Sequence, residues 1–285
     1  MTTNLMTEMT YADLIRACRA QTRKYVEVST EGPVATVTLN NPERLNSLTP
    51  VLCYQLQQAL RSVIETPDVR VIVLTGTDPA FCAGGDLDFI LMAEDSLRHG
   101  NEGAVTVWRW IRRQFGGVAR LLAQSDKYVI AALNGPTAGV GLSFAFASDY
   151  LLASERARLV LAFAAIGLVP EVGCNWQLTR RVGYHKAMEL FIAGERLSAE
   201  RALELGLVNR VVPHDRLLDE ARSWADRVCA LPANVVEMAK VQMRKVADMP
   251  WDQAMVMEEF AEPICFTPQS HRDAVRAMQA AIRER

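Results

Sequence analysis

The chain has 285 residues, half of them apolar, enough to bury one large core and carry an accessory element. Its 31 Lys and Arg against 33 Asp and Glu leave a formal net charge of -2. That balance excludes the basic footprint of a nucleic-acid binder or a membrane-surface patch, so an anionic ligand has to be held by a few local cations. Cys18, Cys53, Cys82, Cys174, Cys229 and Cys265 are scattered without a CxxC, and His99, His185, His214 and His271 lie far apart, which argues against a disulfide framework and against a local metal motif. The opening "MTTNLMTEMTYADLIRAC" lacks the pattern of a secretory signal, and no uncharged apolar stretch is long enough for a bilayer. A reducing, cytoplasmic setting without membrane or nucleic-acid partners is the expectation.

Along the chain, Tyr11, Leu14, Ile15 and Cys18 recur at helical spacing and predict a short amphipathic helix from Tyr11 to about Arg23. "YVEVSTEG" and "VATVTLN" alternate with period two around Gly32 and Pro33, a hairpin closed by Asn41 and Pro42. Thr49 as N-cap and Pro50 in the first turn start a helix over "SLTPVLCYQLQQALRSVIET". "VRVIVLTG" is continuous, apolar and β-branched, the pattern of a strand buried on both faces. A helical stretch is predicted from about Phe89 to Leu122, broken at Gly100 and at Gly116-Gly117; the strand "YVIAALNG", a small-residue helix start in "GLSFAFASD" and two short strands in "YLLASERARLVL" follow. "CNWQLTRRVG", "HKAMELFIAG" and "SAERALELG" read as helices, "VNRVVP" as a strand, and only amphipathic helices lie beyond Pro213. The pattern predicts a helical extension over 1–24, an α/β core over 25–213 and a helical subdomain over 214–285.

Two glycine-rich turns, each following a buried strand, carry the chemistry. "FCAGGDL" (Phe81 to Leu87) can bring backbone amides close to a ligand oxygen, or be a plain turn in which Asp86 caps the next helix. "ALNGPTAGVGLSFAFASD" leads into a helix whose first amides suit an oxyanion or a phosphate, but it lacks both GxGxxG spacing and a phosphate-loop GK. Its "GLSFA" is close to a nucleophile elbow with Ser143, for which Glu171 and His185 or His214 would complete a hydrolase triad. Glu171 stands in the apolar run "FAAIGLVPEVGCNW", where an acid is at the surface, paired, or kept at an altered pKa for chemistry.

"NNPERLNSLT", "VRVIVLTGTDPAFCAGGDL", "YVIAALNGPTAGVGLSFAFASDYLLASERA", "IGLVPEVGCNWQLTRRVG" and "AGERLSAERALELGLVNRVVP", in this order, resemble the crotonase superfamily, or enoyl-CoA hydratase/isomerase family, over about residues 25 to 285. The resemblance implies an α/β fold with a ββα spiral core carrying the acyl-CoA site, C-terminal helices that form a homotrimer or dimer of trimers, and no metal or redox cofactor, coenzyme A entering as part of the thioester. It implies an oxyanion hole from the amides of Gly85 and Val140. The coenzyme A line falls on Ser47, Ala83 and Leu87, with Arg44 close to the phosphates and Arg283 or Arg285 on a nucleotide phosphate. The two glutamates of the hydratases align with Ser143 and Phe163, so the two-carboxylate addition of water is not expected.

Glu171 stands where several isomerases of the superfamily carry an acid. A carboxylate in an apolar pocket has a raised pKa and can remove a proton and return it elsewhere on the acyl chain; the plain reading is an acid favoured by the dipole of the following helix. The segment Phe89 to Gln124 is longer than in the common hydratases and is expected to line the acyl pocket, with Trp108 and Phe163 foremost and Met92, Trp110 and Phe115 beside them. Glu94, Asp95, His99 and Glu102 are candidates for a second acid or base. The expected function is isomerase-type proton shuttling. An enoyl-CoA hydratase using Glu171 alone, a thioester hydrolase using Ser143 and a non-catalytic acyl-CoA-binding module are the alternatives.

Overall fold

A computed structural model describes residues 10–99, without the side chain of His99, and 102–283. Tyr11–Ala20 (α1) begins at a capping box in which the Thr10 side chain accepts from the Asp13 amide and Asp13 reaches back, and it buries Leu14 and Cys18 in the core. Val26–Glu31 (β1) and Val34–Leu39 (β2) form the expected antiparallel hairpin, with Gly32 at φ 57° in the turn. The Thr49 hydroxyl accepts from the Leu52 amide and starts Pro50–Ile64 (α2), which leads to Val71–Gly76 (β3), buried at every residue.

Leu87–His99 (α3) and Gly103–Trp110 (α4) come next; a π-helical turn at Ile111–Phe115 then joins α4 directly to Gly116–Gln124 (α5). The helix therefore runs through Gly116-Gly117, where the sequence predicted a break. The reason is packing: a Cβ on Gly117 would lie 1.9 Å from Gln57 Nε2 on α2, so glycine permits a close helix crossing. Gly100, the other expected break, lies outside the described residues. The core continues through Tyr128–Leu133 (β4), Pro136–Ala138 (β5), Val140–Ala147 (α6), Tyr150–Ser154 (β6), Arg158–Val160 (β7), Cys174–Val182 (α7), Tyr184–Ala193 (α8), Arg196–Ser198 (β8), Ala199–Glu204 (α9) and Arg210–Val212 (β9). Leu217–Cys229 (α10), Ala233–Val246 (α11), Trp251–Cys265 (α12) and Gln269–Arg283 (α13) complete the chain. Three-residue strands such as β5 and β8 are too short to print a period-two pattern, and the sequence did not predict them.

The larger sheet has the order β1-β2-β3-β4-β6-β9, parallel except for the β1–β2 hairpin, and the smaller has the order β5-β7-β8. From β4 onward the chain steps between the two: β4 to β5, then α6, then β6 to β7. This repeated strand–strand–helix step is the expected ββα spiral. Successive residues of a strand point to opposite faces, so β3 sends Ile72 and Leu74 into the main core, while Val71 and Val73 meet Leu217, Ala221, Ala225 and Val228 of α10.

All eight residues of α6 are buried, so its last carbonyls need donors from the protein. Arg181 of α7 donates to Phe146 O and Arg244 of α11 to Ala147 O. Arg244 and the buried Lys240 also pair with Asp149 at 2.6 and 2.8 Å, and Lys240 donates to Leu122 O and Lys127 O, which staples α11 to the core. Burial lowers the Lys240 pKa while Asp149 favours its charge. Among the described residues no helix is long and apolar enough to cross a membrane, and no cluster of three His, Cys, Asp or Glu could hold a metal ion.

Candidate active site

The two glycine-rich turns meet. Cys82 and Thr137 form an isolated parallel bridge, with the Cys82 amide on Pro136 O and the Ala138 amide on Cys82 O at 2.9 Å. Contact is backbone on backbone: a Cβ on Gly84 would lie 2.8 Å from Ala138 O, and one on Gly141 would lie 2.7 Å from both Cys82 Cβ and Cys82 O. Gly84 has φ 93° and Gly139 φ 51°, a conformation in which glycine is the least strained residue. Gly85 follows the first, and Val140 is the first residue of α6. Neither of their amides donates to a protein acceptor among the described residues, and α6 adds the partial positive charge of its N-terminus.

A third turn, at Leu45 and Asn46, closes this side. The Leu48 amide donates to Gly84 O at 2.7 Å and the Ala83 amide to Leu45 O at 3.0 Å. Both Leu45 and Asn46 have positive φ, and fully buried Asn46 holds the turn in place by donating to Thr77 O and Ala80 O while accepting from the Asn41 amide. The sequence reading missed Asn46; the signal available was an asparagine in a turn, the side chain that best tolerates a left-handed backbone.

Asp86 is the hub of these turns. One carboxylate oxygen accepts from the Phe89 amide, so Asp86 does cap α3, and the other accepts from Ser47 Oγ at 3.0 Å and Arg44 Nη1 at 2.8 Å. Arg44 Nη2 reaches Asp88 at 2.9 Å. The structure thus brings Arg44, Ser47 and Ala83 together; Leu87 is 63% exposed beside them, and Arg283 is exposed in the last turn of α13. Arg285 lies outside the described residues.

Glu171 is tied by its main chain to Ser143 of α6. Its carboxylate has neither an ion pair nor a hydrogen bond among the described residues, and burial alone raises its pKa above 4.5. Its main-chain oxygen accepts from Ser143 Oγ and from the Cys174 amide, both at 3.0 Å. The next residue, Val172, has φ 58°, a left-handed conformation that costs a β-branched residue about 1–3 kcal/mol and persists only when its surroundings hold it. Phe163 is buried, at the start of the 3-10 turn Ala164–Ile166.

The nominated hydrolase triad is not assembled. Ser143 Oγ is committed to the Glu171 carbonyl, and His214 lies instead between Ser154 Oγ at 3.1 Å and Asp78 Oδ2 at 3.0 Å, with Asn134 donating to Asp78. That Ser–His–Asp order is the order of an acyl-transfer triad. Ser154, however, is fully buried and its oxygen already accepts from the Arg156 amide, so it faces no substrate and ties β6 to two loops.

On α4 the two tryptophans diverge, because residues two apart on a helix do not share a face. Trp110 is buried edge-on to Phe89 at 5.1 Å and near Phe115 at 6.2 Å, and with Met92 it lines a small cavity among α1, α3 and α4. Trp108 is 57% exposed under the Arg112 guanidinium, so the structure does not bring it to that cavity. Glu94 pairs with Arg98 and Glu102 with Arg109, and Asp95 is exposed, as expected of a solvated helix face; the His99 side chain lies outside the described residues.

The sequence profile of the enoyl-CoA hydratase/isomerase family matches residues 29–277. The chain is 32% identical over 250 residues to 1,2-epoxyphenylacetyl-CoA isomerase of Escherichia coli K12, covering 88% of this chain and 93% of the relative. It is 31% identical over 254 residues to the mitochondrial enoyl-CoA hydratase of Pongo abelii, covering 88% and 82%. The crystal structure of an enoyl-CoA hydratase from Bacillus anthracis superposes with a TM-score of 0.80 at 28% identity, covering 90% of this chain and 97% of that one.

Proposed function

The chain belongs to the enoyl-CoA hydratase/isomerase family, and from that premise we propose that it is an isomerase that moves a proton along an acyl-CoA thioester, with Glu171 as the single acid/base. The observation that carries this reading is one unpaired carboxyl whose pKa burial raises, and the family resemblance supports it by setting Ser143 and Phe163 at the positions of the two hydratase glutamates. The thioester oxygen lies between the amides of Gly85 and Val140. Glu171 removes an α proton from a 3-enoyl thioester, the electron pair spreads onto the thioester oxygen as a dienolate, and the carboxylic acid returns the proton to the γ carbon. The product is the 2-enoyl thioester, with no net change in atoms and no metal or redox cofactor. Amide donors fixed before the reaction stabilise the developing charge without reorganising.

Coenzyme A runs along the three joined turns, past Ser47, Ala83 and the exposed Leu87, with the half-exposed Arg44 on its phosphate side and Arg283 on a nucleotide phosphate. The acyl chain is bounded by Phe163 and the α3–α4 helices, with Trp108 at its outer rim. Exposed Trp251, Phe260, Met278 and Ile282 on α12 and α13 support association into a homotrimer or dimer of trimers, in a cytoplasmic setting.

A second reading, hydration of a 2-enoyl thioester with Glu171 as the lone acid/base, is favoured by the hydratase names of several relatives. Incubation with a 3-enoyl-CoA and separately with a 2-enoyl-CoA, following double-bond migration by absorbance and water addition by mass, distinguishes the two. Migration that falls about 10²–10⁴-fold in Glu171→Gln is the expected result. Water addition that survives Glu171→Gln, or no turnover of either ester, refutes the shuttle and returns attention to another acid or to a binding role.

A further inference from the structure

Ser143 is 1% exposed, and its hydroxyl has a single proton to donate. Two carbonyls and the Cys174 thiol compete for it: Gly139 O, one helical turn back at 3.4 Å, Glu171 O, from a segment 28 residues away at 3.0 Å, and the sulfur of Cys174 on the same segment. The shorter carbonyl contact is the tertiary one. It joins a second tie on the same segment, where Asn175 Nδ2 donates to Pro170 O at 2.8 Å, and a third from the Cys174 amide to Glu171 O. Between these ties and the left-handed Val172 and Gly173, the backbone of Glu171 is held at every peptide, while its carboxylate touches no partner of its own. Where the carboxylate stands is therefore decided by its main chain.

We propose that Ser143 is the positioning residue of this site: its hydroxyl fixes the Glu171–Val172 peptide to the helix that begins with Val140, and so sets the distance and direction of the acid relative to the amide at that helix's start. The inference rests on the proton-shuttle reading of Glu171 and deepens it. A helix is a rigid spacer, and Ser143 lies one turn beyond Val140, so one element carries both the oxyanion donor and the anchor of the base. Losing the anchor lets the strained turn relax toward a conformation that Val172 prefers, which moves the carboxylate and wets it. The titratable groups that α7 packs beside Ser143 are Cys174, whose thiol burial pushes up to about 12 while the Ser143 hydroxyl and Arg181 draw it down, and Arg181, whose guanidinium burial brings down to about 10; Glu171 owes its own shift to burial alone.

The test compares purified Ser143→Ala and Glu171→Gln with the natural protein on a 3-enoyl-CoA, measuring kcat, KM, the pH profile of kcat/KM and thermal unfolding. The expected result for Ser143→Ala is a kcat lower by about 10- to 100-fold, since small misplacements of a catalytic group cost that much, with KM changed less than threefold. Its acid limb also moves to lower pH as Glu171 becomes better solvated. A hydroxyl that served only the fold would change the unfolding temperature and leave the limb in place. Should Ser143→Ala not fold, Ser143→Cys, a weaker donor, replaces it with the same expectations in smaller measure. An inactive Glu171→Gln beside a Ser143→Ala with unchanged kcat and acid limb overturns the positioning role and leaves the shuttle standing. An active Glu171→Gln overturns both.

Discussion

Gly84→Ala tests whether the two glycine-rich turns form one rigid unit. A Cβ there would lie 2.8 Å from Ala138 O and 3.3 Å from Ala138 C, and ordinary van der Waals contact begins at 3.4 Å, so the turns must part by about 0.6 Å. The obstacle is backbone, which cannot swing aside as a side chain can. Alanine at φ 93° adds about 1–2 kcal/mol of conformational strain, and overpacking a tight contact costs about 1–3 kcal/mol more. A loss of about 2–5 kcal/mol is the expectation, read as a fall in Tm of roughly 5–15 °C in a calorimetric or fluorescence scan. Because Gly85 follows directly and the displaced partner leads to Val140, kcat on a CoA thioester should fall by about 10- to 100-fold, with a smaller effect on KM. A variant with unchanged Tm and kcat would refute the claim that these turns are in contact and act together.

Glu171→Gln removes a half-buried acid with no ion-pair or hydrogen-bond partner among the described residues, so the variant should be inactive yet at least as stable as the natural protein at pH 7. The raised folded pKa means that the acid is least costly when protonated; the stability gap should close as pH falls toward 4.5 and widen as pH rises through the folded pKa, which unfolding scans at several pH values check. For the same reason the acid limb of kcat/KM should lie above that of an ordinary carboxylate. Lys240→Met removes one of the two cations on Asp149, which keeps Arg244, and takes the Lys240 donor from Leu122 O and Lys127 O, so chemical denaturation should show a loss of about 1–3 kcal/mol. Asp86→Ala removes the α3 cap, worth about 0.5–2 kcal/mol, and takes from Ser47 its carboxylate partner and from Arg44 one of its two, Asp88 remaining. Steady-state kinetics should then show KM for CoA thioesters rising more than kcat falls.

Much of the architecture follows from local rules acting within a few residues. The β1–β2 hairpin, the Thr49 cap of α2, the doubly buried β3 and the start of α6 after a glycine turn are each written in side-chain period, capping residues and turn chemistry, and the ordered motifs carry the family. The apolar neighbours of Glu171 likewise foretell an acid with an altered pKa. What the sequence could not decide is which distant segments touch. The same glycine signal that ends a chain element elsewhere lets α5 lie against Gln57, and two tryptophans of one helix part to core and surface according to what packs beside α4. Ser143 read as a possible nucleophile and His214 as its partner until the fold committed one to the Glu171 carbonyl and the other to Ser154 and Asp78. A hydrogen bond between residues 28 or 60 positions apart depends on how the whole core closes around them, and that closure belongs to tertiary structure alone.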